Sequence, residues 1–304
     1  MRGPTAAWLP DGKRLHFQHG PIDLIIEALG TDACLEAAYR AAWKRFQTVL
    51  AELVDELPKL RTMCPLDGLH VEGKIAGRME RACRPHAALG ITSMAAVAGA
   101  VADEILDAMT AAAELPRAYV NNGGDIAIHL AEGQKFEVAM AGLSPVPSCL
   151  GKISLKAGDP SGLASSGRHG RSFSLGIADS VTVLARNAAA ADAAATLIAN
   201  AVDLPGHPNI QRTPAVDLDP ESDLGERLVT VDVELLTERE VRQALGAGTA
   251  RAHASITNGT IAAAVLYLED QVQVVGNWPK RCAFIDFSSK LRSMPPRQLQ
   301  AGPL

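Results

Sequence analysis

Asp192 and Thr196 stand four residues apart in the segment ADAAATLIANAV, so on a helix they share one face. A carboxylate and a hydroxyl one turn apart offer two hard oxygens to Mg²⁺, which completes its octahedron with carbonyls, waters or a substrate phosphate. The same pair also suits a plain solvated helix face, with the threonine bonding back to the preceding turn. Three further segments carry polar groups in ligand-like arrangements. In YVNNGGDIAIHL, Gly123 and Gly124 allow a tight turn and a close backbone approach, flanked by Asn122 and Asp125. An ordinary hairpin requires no more than that. In ASSGRHGRSF, Ser165, Ser166 and Gly167 offer hydroxyls and backbone N–H groups to a diphosphate, and Arg168, His169 and Arg171 add positive charge. A solvated loop has the same composition. His169 could serve there as a general acid or base at neutral pH. In GITSMAAVAGAVADEI, Thr92 and Ser93 open a helix whose N-terminus suits an anion, while the small residues behind it equally suit close helix packing.

These groups need elements to carry them. Residues 8–28 predict two short strands around a Pro10-Asp11-Gly12 turn. Thr31 or Asp32 caps a long helix to about Leu57, where Pro58 stops it; its apolar face includes Phe46, Val49, Leu50 and Leu53. A shorter helix is expected over Ile75–Cys83, and one over Ser93 to about Ala113 capped by Thr92. Strands are expected at Ala118–Asn121, Asp125–Leu130, Phe136–Met140 and Ile153–Lys156, then a loop from Gly158 to Gly176. A strand at Ser180–Ala185 leads into an alanine-rich helix, Ala188–Val202. Residues 205–225 read as a Pro/Asp-rich loop, Leu228–Leu235 as a strand and Thr237–Leu245 as a capped helix. Ile261–Leu268 and Val272–Val275 pair as a hairpin, and the tail after Ser293 frays. Helices first and strands with interspersed helices later predict an α+β fold, an antiparallel or mixed sheet packed with alanine-rich helices. Residues 1–292 form a single domain in this reading, and 293–304 a flexible tail.

Composition narrows the function classes. The chain has 304 residues, 47% hydrophobic and 21% charged, with a net charge of -5. The sequence pI is about 5.9. An acidic balance with no Arg/Lys block argues against a nucleic-acid partner, because phosphate neutralisation needs a basic face. Ala87 to Ala113 is apolar but broken by Asp103, Glu104 and Asp107, so no membrane span is expected. The first thirty residues hold no apolar signal region and no cysteine, which predicts a cytoplasmic protein. Five widely spaced cysteines without a C-x-x-C imply neither a disulfide framework nor a zinc knuckle.

In chain order the four segments resemble the ApbE family, which transfers FMN from FAD to a threonine of a target protein and in some members hydrolyses FAD. The family's N-x-G-G-D turn resembles Val120 to Ile126, and its T-S-G loop resembles Ser165-Ser166-Gly167. Its S-V-T-V strand and A-D-A-x-A-T helix start are matched by Ser180–Val183 and Ala191–Thr196. The resemblance covers roughly residues 75–202. It implies FAD as ligand and Mg²⁺ held by Asp192, Thr196 and a backbone carbonyl, which an overlay of the family's D-L-G-A-I-A-K-G-Y-A-V-D segment assigns to Ala95. It also implies Asn122, Gly123, Gly124, Ser165, Ser166 and Gly167 at the nucleotide, where Thr92 at its helix N-terminus and the charge of Arg168 would join them. A protein acceptor is the implied partner.

Departures from the family pattern are as informative. The leading aspartate becomes Thr92 and the lysine becomes Ala98, and the H-x-x-D-P-x-T-G segment is missing. Thr92 cannot act as a carboxylate base, so Asp125 or His169 would have to supply that function. The pattern is that of a shorter-looped branch beside ApbE. Three readings stay open: Mg²⁺-dependent phosphoryl chemistry on FAD, a non-catalytic flavin- or nucleotide-binding module, and a different small-molecule enzyme using the same alanine-lined cleft. The alanine-rich helix surface is also compatible with a homodimer.

Overall fold

Buried Ile22, Leu24, Ile26 and Ala28 alternate with half-buried Asp23, Ile25 and Glu27, the period-two pattern of a strand with one face on a core. In the computed structural model, which describes residues 3–142, 148–279 and 283–284, this is the third strand of a nine-stranded sheet. The 293–304 tail lies outside the described residues. The strands run β1 (Thr5–Trp8), β2 (Leu15–His19), β3 (Ile22–Leu29), β4 (Arg117–Asn122), β5 (Asp125–Leu130), β6 (Lys135–Gly142) and β7 (Ser148–Lys156). There follow β8 (Gly162–Ser166), β9 (Ser180–Ala185), β10 (Ile210–Pro214), β11 (Leu228–Val233), β12 (Ala263–Leu268), β13 (Gln271–Gly276) and β14 (Ala283–Phe284). The main sheet has the order β1-β2-β3-β4-β5-β8-β9-β12-β13, and each neighbouring pair is antiparallel.

Helices cover one face. These are α1 (Asp32–Leu60), α2 (Lys74–Cys83), α3 (Val97–Ala112), α4 (Ala188–Ala201), α5 (Ala215–Leu218) and α6 (Glu238–Thr257). Phe46, Val49 and Leu53 of α1 join Phe17, Leu24 and Ile26 of the sheet in one core with α2 and α3. A second core joins α4 and α6 to Val181, Val183, Ala264 and Leu266. The β6–β7 hairpin covers the opposite face, where Ile153 and Leu155 meet Ile128, Leu163, Leu184 and Val265. Among the described residues no helix is long and apolar enough to cross a membrane. The α+β expectation with an antiparallel sheet therefore holds.

Five local expectations are corrected. Pro58 lies inside the last turn of α1 rather than ending it. The carbonyl its missing N–H leaves unpaired belongs to Val54, which is exposed, so water can satisfy it. The helix expected from Ser93 begins as a 3-10 turn over Ser93–Ala96, and α3 starts only at Val97. The Gly158–Gly176 loop contains strand β8, and residues 205–225 contain β10 and α5. Helix α6 runs on past Leu245 because Gly248 lies against Val202 and Leu266, where tertiary packing outweighs the low helix propensity of glycine.

Candidate metal and nucleotide site

The alanines of α3 and α4 let the two helix N-termini meet backbone to backbone. A Cβ added at Gly99 would lie 2.3 Å from the Ala188 carbonyl oxygen. Each helix caps the other. Asp103 of α3 accepts the Ala188 and Ala189 N–H groups at 3.0 Å, while Asp192 of α4 accepts the Gly99 N–H at 3.0 Å. The late start of α3 makes this exchange feasible, since it leaves first-turn donors facing α4.

The Asn122–Asp125 turn reaches the same junction. Gly123 and Gly124 have φ of 66° and 118°, a conformation that favours glycine, and Asn121 accepts the Gly124 N–H at 2.8 Å. Asn122 is buried and donates to the Ala98 carbonyl at 3.1 Å, fastening the turn to the start of α3. Asp125 is buried and accepts the Ser165 N–H at 3.2 Å. Burial pushes the Asp125 carboxyl up to about 7, with the Ser165 bond and the Arg171 charge pulling the other way. Asp192 is pushed well above the ordinary carboxylate range, first by burial and then by the Asp125 charge. Asp103 is raised to about 6, again by burial. The Asp125 charge thus adds to the burial of Asp192 where the turn meets the two helix N-termini.

The remaining residues divide by sheet face. Gly162 and Ala164 of β8 face the helices and Leu163 faces the β6–β7 hairpin, so Ser166 shares the Asp192 side and Ser165 the other. The Ser165 hydroxyl accordingly lies 2.9 Å from that of Thr182, and only its backbone serves Asp125. Gly167 is packed tightly: a Cβ there would lie 2.4 Å from the Asp179 carbonyl oxygen. Arg168 and His169 both converge on the Asp179 carboxylate, at 2.7 Å and 3.2 Å. Arg171 instead lies over the glycine turn, 3.1 Å from where a Gly123 Cβ would sit. Thr92 is buried, makes no cap bond to the turn it precedes, and donates its hydroxyl to Asp223. Ala95 is half-buried in the 3-10 turn, and Thr196 is half-buried one turn along α4 from Asp192.

Among the described residues no group of three or more His, Cys, Asp or Glu side chains is placed to hold a metal. A set of one carboxylate, one hydroxyl and one backbone carbonyl is not such a group. Its donors are all hard oxygens, and a cation would favour the charged form of Asp192 that burial disfavours, so the set fits Mg²⁺. A Cβ on Gly124 would meet nothing within 4 Å, which leaves the turn open to an approaching ligand. Asp103, Asp179 and Asp223 are the supporting acids that sequence reasoning passed over. Asp103 had one signal, because it ends the overlaid α3 segment; the partners of Asp179 and Asp223 depend on tertiary contacts.

A family model described as AbpE bacteria matches residues 6–274. A UPF0280 protein of Methanothrix thermoacetophila is 40% identical over 124 residues, covering 41% of this chain and 52% of that protein. A UPF0280 protein of Archaeoglobus fulgidus is 36% identical over 168 residues, 54% of this chain and 66% of that protein. The chain thus spans about half to two thirds of the curated relatives it matches. The ApbE protein of Thermotoga maritima shares the fold with a TM-score of 0.52 at 13% identity, covering 86% of this chain and 96% of that one.

Proposed function

The chain belongs to the AbpE bacterial family, and on that premise we propose that it binds FAD with Mg²⁺ and cleaves the diphosphate, passing FMN to a protein hydroxyl or to water and releasing AMP. The observation that carries this reading is the convergence of buried Asp125 and half-buried Asp192, whose charges act on one another, near the α3–α4 junction. Asp192, Thr196 and the Ala95 carbonyl would hold Mg²⁺, which when bound neutralises the diphosphate and stabilises the leaving phosphate. Asp125 receives the proton of the attacking hydroxyl, since a carboxyl raised to about 7 is poised to accept one at neutral pH. Arg171, beside Gly123, draws the anion toward the turn. His169, oriented by Asp179, is the alternative proton carrier.

Purified protein with FAD and Mg²⁺, followed by chromatography of the nucleotides, tests the reading. AMP and FMN should appear, and Asp192→Ala should abolish both. Absence of FAD binding in a fluorescence titration would sink it. One observation favours a second reading, a module that holds FAD without cleaving it: Ala98 brings no charge, and Arg168 is already engaged by Asp179. Tight FAD binding without AMP release would select that module.

A further inference from the structure

The connection after α1 and the end of α2 place two thiols against one residue at the back of the α3 turn. The Cys64 sulfur lies 3.4 Å from the Ser93 hydroxyl, and the Cys83 sulfur donates to the Ser93 carbonyl at 3.8 Å. The two thiols thus flank Ser93, and each is the largest influence on the other's titration. Cys64 is held in place by its N–H bond to the Ile91 carbonyl at 2.8 Å and by the adjoining Met63–Thr92 bridge. Both cysteines are free; Cys83 is fully enclosed, whereas Cys64 retains 7% exposure. We propose that Cys64 and Cys83 form a redox pair that a small hydroperoxide converts to a disulfide, releasing the Ser93 turn.

Cys64 is the attacking thiol. It is the one with access to solvent, and the influence of Cys83 and Ser93 lowers its pKa to about 7, favouring the thiolate, whereas Cys83 is raised. The Cys64 thiolate attacks the hydroperoxide: an S–O bond forms, the O–O bond breaks, and the alcohol leaves after taking up a proton. Cys83 then attacks the Cys64 sulfenic sulfur. The S–S bond forms, the S–O bond breaks, and hydroxide departs with the Cys83 proton as water. Two thiols are oxidised by two electrons, and one hydroperoxide is reduced to an alcohol and water. Closing the pair removes both sulfur contacts to Ser93, whose turn, Ser93–Ala96, leads into the start of α3 and Gly99.

The test uses the full chain with Cys34, Cys149 and Cys282 replaced by serine, so that only the pair remains. Hydrogen peroxide should take the titratable thiols of the denatured protein from two to none, with a mass loss of two hydrogens, and dithiothreitol should restore both. Peptide mapping should find Cys64 joined to Cys83. Amide exchange over residues 92–99 should become faster in the oxidised form. Retention of both thiols, or conversion of Cys64 to a sulfinic acid with Cys83 still reduced, would overturn the pair. Unchanged exchange over 92–99 would overturn its link to the turn. Cys83→Ser in the same background should leave Cys64 unable to form an intramolecular disulfide. None of these readouts requires FAD, so they stand apart from the proposed function.

Discussion

Asp192 serves the fold and the proposed chemistry with the same atoms, and substitutions can separate the two. Asparagine keeps an oxygen for the Gly99 N–H but loses the charge a metal needs. Asp192→Asn should therefore lower FAD cleavage by at least about 100-fold. Its stability in urea should stay within about 1 kcal/mol of the parent. A variant that keeps its activity would remove Asp192 from the metal site. Ser165 makes the opposite case. Its hydroxyl meets Thr182 on the far face of the sheet, so Ser165→Ala should change cleavage by less than about 2-fold, the effect of a substitution away from the site. A 100-fold loss on Ser165→Ala, measured as kcat/KM, would place that hydroxyl at the nucleotide after all.

At the scale of elements, most strands and helices were legible because their periods were clean: β3 alternates, α1 repeats its apolar face, and α4 follows directly from β9. What sequence concealed were places where a partner outweighs local preference. Strand β8 is built from Gly, Ala and Ser and carries no strand pattern of its own; it forms because β5 and β9 flank it and Gly162 admits the Asn187 backbone. The start of α3 was misplaced because Thr92 gives its hydroxyl to Asp223 and Asp192 supplies a cap from another helix. The Asp192–Thr196 spacing is visible within α4 alone, but the approach of Asp125 and the reciprocal caps could not be read from either helix. Gly99 is the decisive small residue at that crossing. Alanine there gains about 1 kcal/mol of helix propensity. It also places a Cβ 2.3 Å from a backbone carbonyl that has little room to yield. Gly99→Ala should thus be net destabilising by about 1–3 kcal/mol in urea unfolding, and a stabilised variant would show that the α3–α4 contact is looser than described.

For the whole molecule, the raised carboxyls set a pH dependence whose sign is opposite to that of ordinary salt-bridged acids. Asp125 at about 7 and Asp103 at about 6 keep protons in the folded chain that the unfolded chain releases near the ordinary aspartate value of about 3.9. Between those values the native state binds more protons than the unfolded state, so stability falls as pH rises through the window from about 4 to about 7, and these groups add no further change above it. Asp192, also raised by burial, contributes in the same direction. Asp11 and Glu240, each lowered to about 2, act the other way and lose their contribution only as pH falls below about 4. The metal-free protein should accordingly melt at least about 2 °C lower at pH 8 than at pH 5, and Asp125→Asn should flatten that difference. Mg²⁺ competes with the same protons, so it should raise the melting temperature more at pH 8 than at pH 5. Calorimetry at both pH values, with and without Mg²⁺, decides the matter. An equal rise at both, or none at pH 8, would mean that the carboxylate pair caps α3 and holds protons without gathering a cation.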